Sequence, residues 1–281
     1  MTRNILVSVD QLHETFDRKD FLLVDCRFVL GSPDAGYQAY CESHIPGAAY
    51  ANLDTELSSP VTLTSGRHPL PDGDMFASFL ARLGWEPGRV LLVYDDLGGA
   101  IAARLWWLMK YFGHDHAAML DGGFNAWREA GYALESGPVE PQPAPVSAYV
   151  ERDDLVLTSE SVAGCLAGDS ITLIDARAPE RFSGDVEPID RVAGHIPGSV
   201  NYPFSLNLDS KGRFKDASEI RQGFSVLAEE VADREWVHMC GSGVTACHNI
   251  FAAELAGLAP GKLYVGSWSE WIQNPNRPVE P

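Results

Sequence analysis

The chain states its plan twice. "FLLVDCRF" at residues 21–28 returns as "ITLIDARA" at 171–178, and "HIPGAAY" from His44 returns as "HIPGSVN" from His195, 195 − 44 = 151 positions later. Further on, "GGAIAARLWW" from Gly98 stands opposite "SGVTACHNIF" from Ser242, and "DGGFNAW" from Asp121 opposite "VGSWSEW" from Val265, now at an offset of 265 − 121 = 144. A drift of a few positions is ordinary loop variation, so a chain of 281 residues reads as two copies of one domain. Whatever fold one half adopts, the other must accept.

Between the copies, "ESGPVEPQPAPVSAYVE" carries prolines at 138, 141, 143 and 145, which reads as an extended connection without a helix. The expected organisation is a first domain over 1–140, a linker over 141–152 and a second domain over 153–281. Each half alternates short β-branched runs with longer amphipathic ones. In the second half "ITLID", "EWVHM" and "KLYV" read as buried strands, and Ala217–Glu230 and 245–256 as helices. Strands alternating with helices predict an α/β fold, each domain a mostly parallel sheet with helices on both faces.

Composition narrows the function by exclusion. Hydrophobic residues make up 45% of the chain, enough for two cores, while 21 Lys+Arg against 39 Asp+Glu leave a net charge of −18. Such a surface repels nucleic acid and anionic membrane, so an anionic substrate must be captured locally. The N-terminal apolar run ends at Asp10, too short for a signal-peptide core, and the most apolar stretch, 99–113, is broken by Arg104 and Lys110. Cysteines at 26, 41, 165, 240 and 247 match neither a disulfide framework nor a zinc site. A reducing cytoplasm is the expected location, with no metal and no organic cofactor.

The chemistry concentrates at "HMCGSGVTACHN". Cys240 directly follows the strand "EWVHM", which places it at the carboxyl edge of the sheet, where ligands of such sheets sit. The turn "CGSGVT" then runs into a helix. Gly241 and Gly243 let successive amides face one concavity, and the helix adds its N-terminal dipole, together an anion cup that favours a thiolate. A thiolate in a cup suits attack on phosphorus, or acceptance of sulfur as a persulfide that is then passed on. The first needs an arginine at the end of the loop to grip phosphate oxygens, and Thr245, Ala246 and Cys247 stand there instead.

Taken together, "YCESHIPGAAY", "AGHIPGSVNYPF", "CGSGVTAC" and "YVGSWSEW" resemble the tandem-domain rhodanese sulfurtransferases, from about Val7 to Trp271, with "CGSGVTAC" most similar to the 3-mercaptopyruvate branch. The resemblance implies two rhodanese-like domains, the second catalytic, and transfer of sulfur from 3-mercaptopyruvate to a thiol or cyanide through a Cys240 persulfide. Its partners would be a small anionic donor and an acceptor such as thioredoxin, a small thiol or cyanide. Thiosulfate is the rival donor, although that branch tends to carry Arg and Lys where this loop has Gly241 and Ser242. A non-catalytic module that only carries persulfide sulfur is the reading from outside enzymology. The offset of 144 sets Asp96 opposite Cys240, so the first domain has no nucleophile.

The same resemblance places the substrate carboxylate on Arg181 of "ERF", with Arg191 as a second basic group, and the amides of Gly241, Gly243, Val244 and Thr245 around developing negative charge. Ser242 is expected to pair with a histidine and an aspartate, for which His68 and Asp54 are the candidates, although the stretch between them is longer than the family pattern. His44 and His195 recur in both halves and are therefore expected to serve the fold, as are the pairs Asp25 with Arg27 and Asp175 with Arg177. Cys247 is expected to pack in the core.

Overall fold

The computed structural model describes residues 5–15, 21–168, 170–230 and 234–281. The chain divides into two compact units. Met1–Ser59, Leu70–Arg152 and Ser210–Phe214 form the first; Pro60–Pro69, Asp153–Asp209 and Lys215–Pro281 form the second. Each unit therefore includes one short segment from the other half of the sequence.

In the first unit the elements follow as β1 (Leu6–Val7), α1 (Val9–Glu14), β2 (Phe21–Asp25), α2 (Ala35–Glu42), β3 (Ala49–Tyr50), α3 (Gly73–Arg82), β4 (Val90–Tyr94), α4 (Ala102–Tyr111), β5 (Ala117–Leu120) and α5 (Gly123–Glu129). Their strands form one five-stranded sheet in the order β1-β5-β4-β2-β3, every pair parallel. In β2 and β4 four consecutive residues are buried. Since neighbouring side chains on a strand point to opposite faces, both faces of the sheet are covered.

The second unit repeats the order as β6 (Val156–Leu157), α6 (Ser159–Ala167), β7 (Ile171–Asp175), α7 (Pro179–Phe182), β8 (Val200–Asn201), α8 (Ala217–Glu230), β9 (Glu235–Met239), α9 (Thr245–Leu255), β10 (Lys262–Tyr264) and α10 (Ser267–Trp271). Its sheet order, β6-β10-β9-β7-β8, is the first unit's order over again, and again parallel throughout. The three strands and two helices read from the second half fall where expected, with α9 closing at Leu255. Among the described residues no helix is long and apolar enough to cross a membrane.

The recurring polar residues do the same work in each unit. Arg27 donates through Nε and Nη2 to Asp25 and through Nη2 to the Ser43 carbonyl; Arg177 repeats this on Asp175 and the Gly194 carbonyl. These pairs are almost wholly buried, and each guanidinium also ties its strand end to the turn before a histidine. His44 Nδ1 lies 2.9 Å from the Tyr40 carbonyl and His195 Nδ1 2.9 Å from that of Phe182. Each histidine also exchanges backbone hydrogen bonds with a glutamate, Glu135 or Glu280. The proline-rich segment runs along the first unit without regular structure, fastened where Ala144 donates to the Ala81 carbonyl and Val150 to that of Phe112.

Candidate active site

The register of the two sheets shows what stands opposite what. Asp25 pairs with Tyr94 in the first unit and Asp175 with Met239 in the second, so the residue matching Cys240 is the one after Tyr94, namely Asp95. The backbone agrees: the Phe124 amide donates to the Asp95 carbonyl as the Trp268 amide donates to that of Cys240. The expected partner, Asp96, is one position off. Ala102 at the start of α4 lies seven positions after Asp95, but Thr245 at the start of α9 only five after Cys240, so an ungapped offset misses.

In the second unit the loop after β9 is clamped from one side by α10. The amides of Trp268 and Ser269 donate to the carbonyls of Cys240 and Gly241, and the Cys240 amide donates to Ser267 Oγ at 3.1 Å. Ser267 adopts φ 52°, rare for a residue with a Cβ, and its hydroxyl also donates to the Tyr264 carbonyl. Because a trans peptide points its N–H opposite to its C=O, the amides of Gly241 and Ser242 face away from α10. Gly243 has φ 77°, and a methyl group on it would stand 2.4 Å from the Val265 carbonyl, so no other residue fits. Cys240 itself is only 2% exposed.

His68 Nδ1 and Ser242 Oγ lie 2.7 Å apart and share a hydrogen bond, both side chains buried. His68 comes from the first half of the sequence but packs within the second unit, on the segment Pro60–Pro69. Asp54 lies in the first unit, where its amide donates to Asn52 Oδ1 and burial raises its carboxyl above the usual value. Cys247 is fully buried, with Sγ 3.3 Å from the Gly243 carbonyl, in keeping with a packing role.

Arg181 stands beside the loop, where a methyl group on Gly241 would lie 3.6 Å from its Nη1. It donates to Glu187 at 2.8 Å and to Asp190 at 3.2 Å through Nη2. Burial raises Asp190 above its usual value in spite of Arg67 and Arg181; for Glu187 burial acts the same way, but the amides of Asp190 and Ile189 and the Arg181 guanidinium win and hold it below. Arg191 donates through Nη2 to the Ile272 carbonyl at 2.6 Å. Sequence reasoning missed Arg67, whose guanidinium pairs with Asp190, and the clamping serines 267 and 269. The signals were a basic residue next to His68 in "GRHPLP" and the serines of "VGSWSEW". Among the described residues no group of three His, Cys, Asp or Glu gathers as a metal site would require.

Two parallel α/β units of one strand order, one of which carries a buried cysteine on the strand-to-helix loop after its central strand, define the class of fold. The chain belongs to the rhodanese-like domain family, whose profile matches residues 8–130 and 158–274. It is 45% identical over 276 residues to a Pseudomonas aeruginosa protein named "Probable 3-mercaptopyruvate sulfurtransferase", covering 98% of this chain and 97% of that one. It is 35% identical over 239 residues to the chicken thiosulfate sulfurtransferase, covering 84% of this chain and 80% of that protein. Among solved structures, the 3-mercaptopyruvate sulfurtransferase of Leishmania major superposes with a TM-score of 0.83 at 31% identity, over 95% of this chain and 74% of that one.

Proposed function

We propose that this chain is a 3-mercaptopyruvate sulfurtransferase that passes sulfur to a thiol or cyanide through a persulfide on Cys240. The observation that carries the reading is the buried Cys240 on an uncharged loop whose Ser242 hydroxyl sits 2.7 Å from His68. In the scheme the Cys240 thiolate attacks the donor sulfur, the donor C–S bond breaks, and its electron pair stays on the three-carbon fragment as the enolate of pyruvate. The proton of the donor thiol ends on the methyl group of pyruvate. Ser242 donates to the carbonyl oxygen as enolate charge grows, and His68 shares the proton of that hydroxyl. Asp54 completes the proposed relay.

In this reading the amides of Gly241, Gly243, Val244 and Thr245 face the charge that develops at the reacting sulfur, and Arg181 takes the substrate carboxylate, with Arg191 as the further basic group of the segment. The acceptor, a small thiol, a thioredoxin-like dithiol or cyanide, then removes the outer sulfur and restores Cys240. No metal or organic cofactor enters the scheme. A reducing cytoplasm is part of the proposal and agrees with five cysteines that form no disulfide. The domains are proposed to span 1–140 and 153–281 of the sequence.

Thiosulfate is the second donor to weigh, because Arg67 adds another cation beside Gly241. The deciding experiment is mass spectrometry of the peptide containing Cys240 after brief mixing with each donor. Gain of one sulfur atom from 3-mercaptopyruvate, faster than from thiosulfate, is the expected result. The reverse order would make thiosulfate the donor, and no gain from either would leave only the carrier reading.

A further inference from the structure

A single side chain among the described residues sits on a left-handed backbone. Ser267 has φ 52°, whereas every other described residue with positive φ is a glycine. The first unit shows what the same turn looks like without a nucleophile. Because the Trp268 amide donates to the Cys240 carbonyl as the Phe124 amide donates to that of Asp95, Ser267 stands where the first unit has Gly123, at φ 54°. A methyl group on Gly123 would lie 2.1 Å from the Asp95 carbonyl, so packing alone demands glycine there. The two turns share one backbone, and the hydroxyl occurs only beside the cysteine.

That hydroxyl is fully engaged. Wholly buried, it accepts from the Cys240 amide at 3.1 Å and donates to the Tyr264 carbonyl at 2.9 Å. Tyr264 ends β10, so the serine ties the end of that strand to the backbone of the nucleophile. Together with the amides of Trp268 and Ser269 on the carbonyls of Cys240 and Gly241, it fixes three consecutive peptide planes. α10 has other anchors: Trp268 Nε1 donates to the Val192 carbonyl and Trp271 Nε1 to that of Pro278. The serine is therefore not what holds the helix in place. Strain of this kind persists where the surroundings over-determine it, and it gathers at reacting centres.

We infer that Ser267 is a positioning residue for Cys240: its hydroxyl holds the peptide that precedes the nucleophile, and so the direction of the thiol, in a conformation that glycine would adopt without strain. The inference rests on Cys240 as the proposed nucleophile and is indifferent to which donor it meets.

The test compares Ser267→Gly with Ser267→Ala. Both lose the hydroxyl, but glycine relaxes the backbone and alanine keeps it strained. At saturating donor, the rate of the first sulfur gain on the Cys240 peptide should fall about 10-fold in both variants, the equivalent of about 1.4 kcal/mol for one hydrogen bond. The donor concentration giving half the maximal rate should stay at the wild-type value. The same fold-loss should appear with 3-mercaptopyruvate and with thiosulfate, because the serine acts on the nucleophile and touches neither donor. Thermal melts should place Ser267→Gly about 2–4 °C above Ser267→Ala, so that equal rates accompany unequal stabilities. A wild-type rate in Ser267→Gly, rates that follow the melting temperatures, or a loss confined to the half-saturating concentration would overturn the inference. Failure of the nucleophile assignment looks different: the wild-type Cys240 peptide would then gain no sulfur from either donor.

Discussion

The two units carry the same loop and use it in opposite ways. In the first, Asp95 turns its carboxylate back into the loop, where it accepts hydrogen bonds from the amides of Leu97, Gly99, Ile101 and Ala102 at 2.7–2.9 Å. Burial raises this carboxyl above its usual value even though the four amides pull it down. The concavity is thus filled by the protein's own anion. In the second, the matching position is Cys240, whose side chain has no charged oxygens to satisfy such amides, and the loop before the helix is two residues shorter. The difference teaches that a strand–loop–helix turn of this kind can hold an anion, as Asp95 shows in the first unit, and that on the proposed reading the second unit leaves that role to the substrate.

The strongest test of this contrast is Cys240→Ser, which keeps the shape but removes the sulfur nucleophile; turnover should fall below about one thousandth of wild type with melting unchanged. Residual turnover near wild type would end the contrast between the units. Asp95→Ala should do the opposite, leaving persulfide formation at Cys240 intact but costing at least about 3 kcal/mol of stability, because each unmet buried amide costs about 1–3 kcal/mol. Asp95→Asn should fall between, since its amide group turns two donors towards two donors. Thermal melts read both, and an Asp95→Ala protein as stable as wild type would show that the loop of the first unit does not depend on its anion.

His68→Ala and Ser242→Ala should each lower kcat/KM for 3-mercaptopyruvate by about 10- to 100-fold, and the double variant should lose little more, as expected for two groups acting through one hydrogen bond. Multiplied losses would separate them. The effect smallest at neutral pH concerns His238, two residues before the proposed nucleophile, where the register of β4 sets Val93. Burial lowers the His238 pKa to about 3. Between there and the unfolded value near 6.5 the unfolded chain takes up a proton that the folded chain refuses, so stability falls as pH falls through that window. The slope approaches about 1.4 kcal/mol per pH unit for one proton. Denaturant melts of His238→Val should show it reduced by that amount, and an unchanged slope would assign the acid sensitivity to other groups.

Much of this architecture was legible because it rests on local and repeated patterns. Runs such as "ITLID" and "EWVHM" are largely apolar on both alternating faces, as suits a strand covered on both sides, and recurrence in both halves pointed to fold roles for His44 and His195, whose rings each meet a backbone carbonyl. The site was legible in part. Cys240 followed from its place after a strand, and Ser242 with His68 from the resemblance, and the structure brings that pair together. Arg67 was passed over although it stands next to His68, because its side chain meets Asp190 and Gly241 only through the folding of separate loops. Arg191, expected as a second basic group, donates through Nη2 to the Ile272 carbonyl, while its neighbour Asp190 faces both Arg67 and Arg181.

By itself the sequence determined the doubled parallel α/β plan and the nucleophile at a strand's carboxyl end, since hydrophobic period, glycine placement and internal repetition are properties of neighbouring residues. Only the tertiary structure decided which residue replaces Cys240 in the first unit, because strand register and not residue count aligns Asp95 with it. Tertiary structure likewise decided which charges meet over Gly241. An ion pair between Arg67 and Asp190 depends on where two loops are folded, and Coulomb attraction acts through distance in space, to which separation along the chain is no guide.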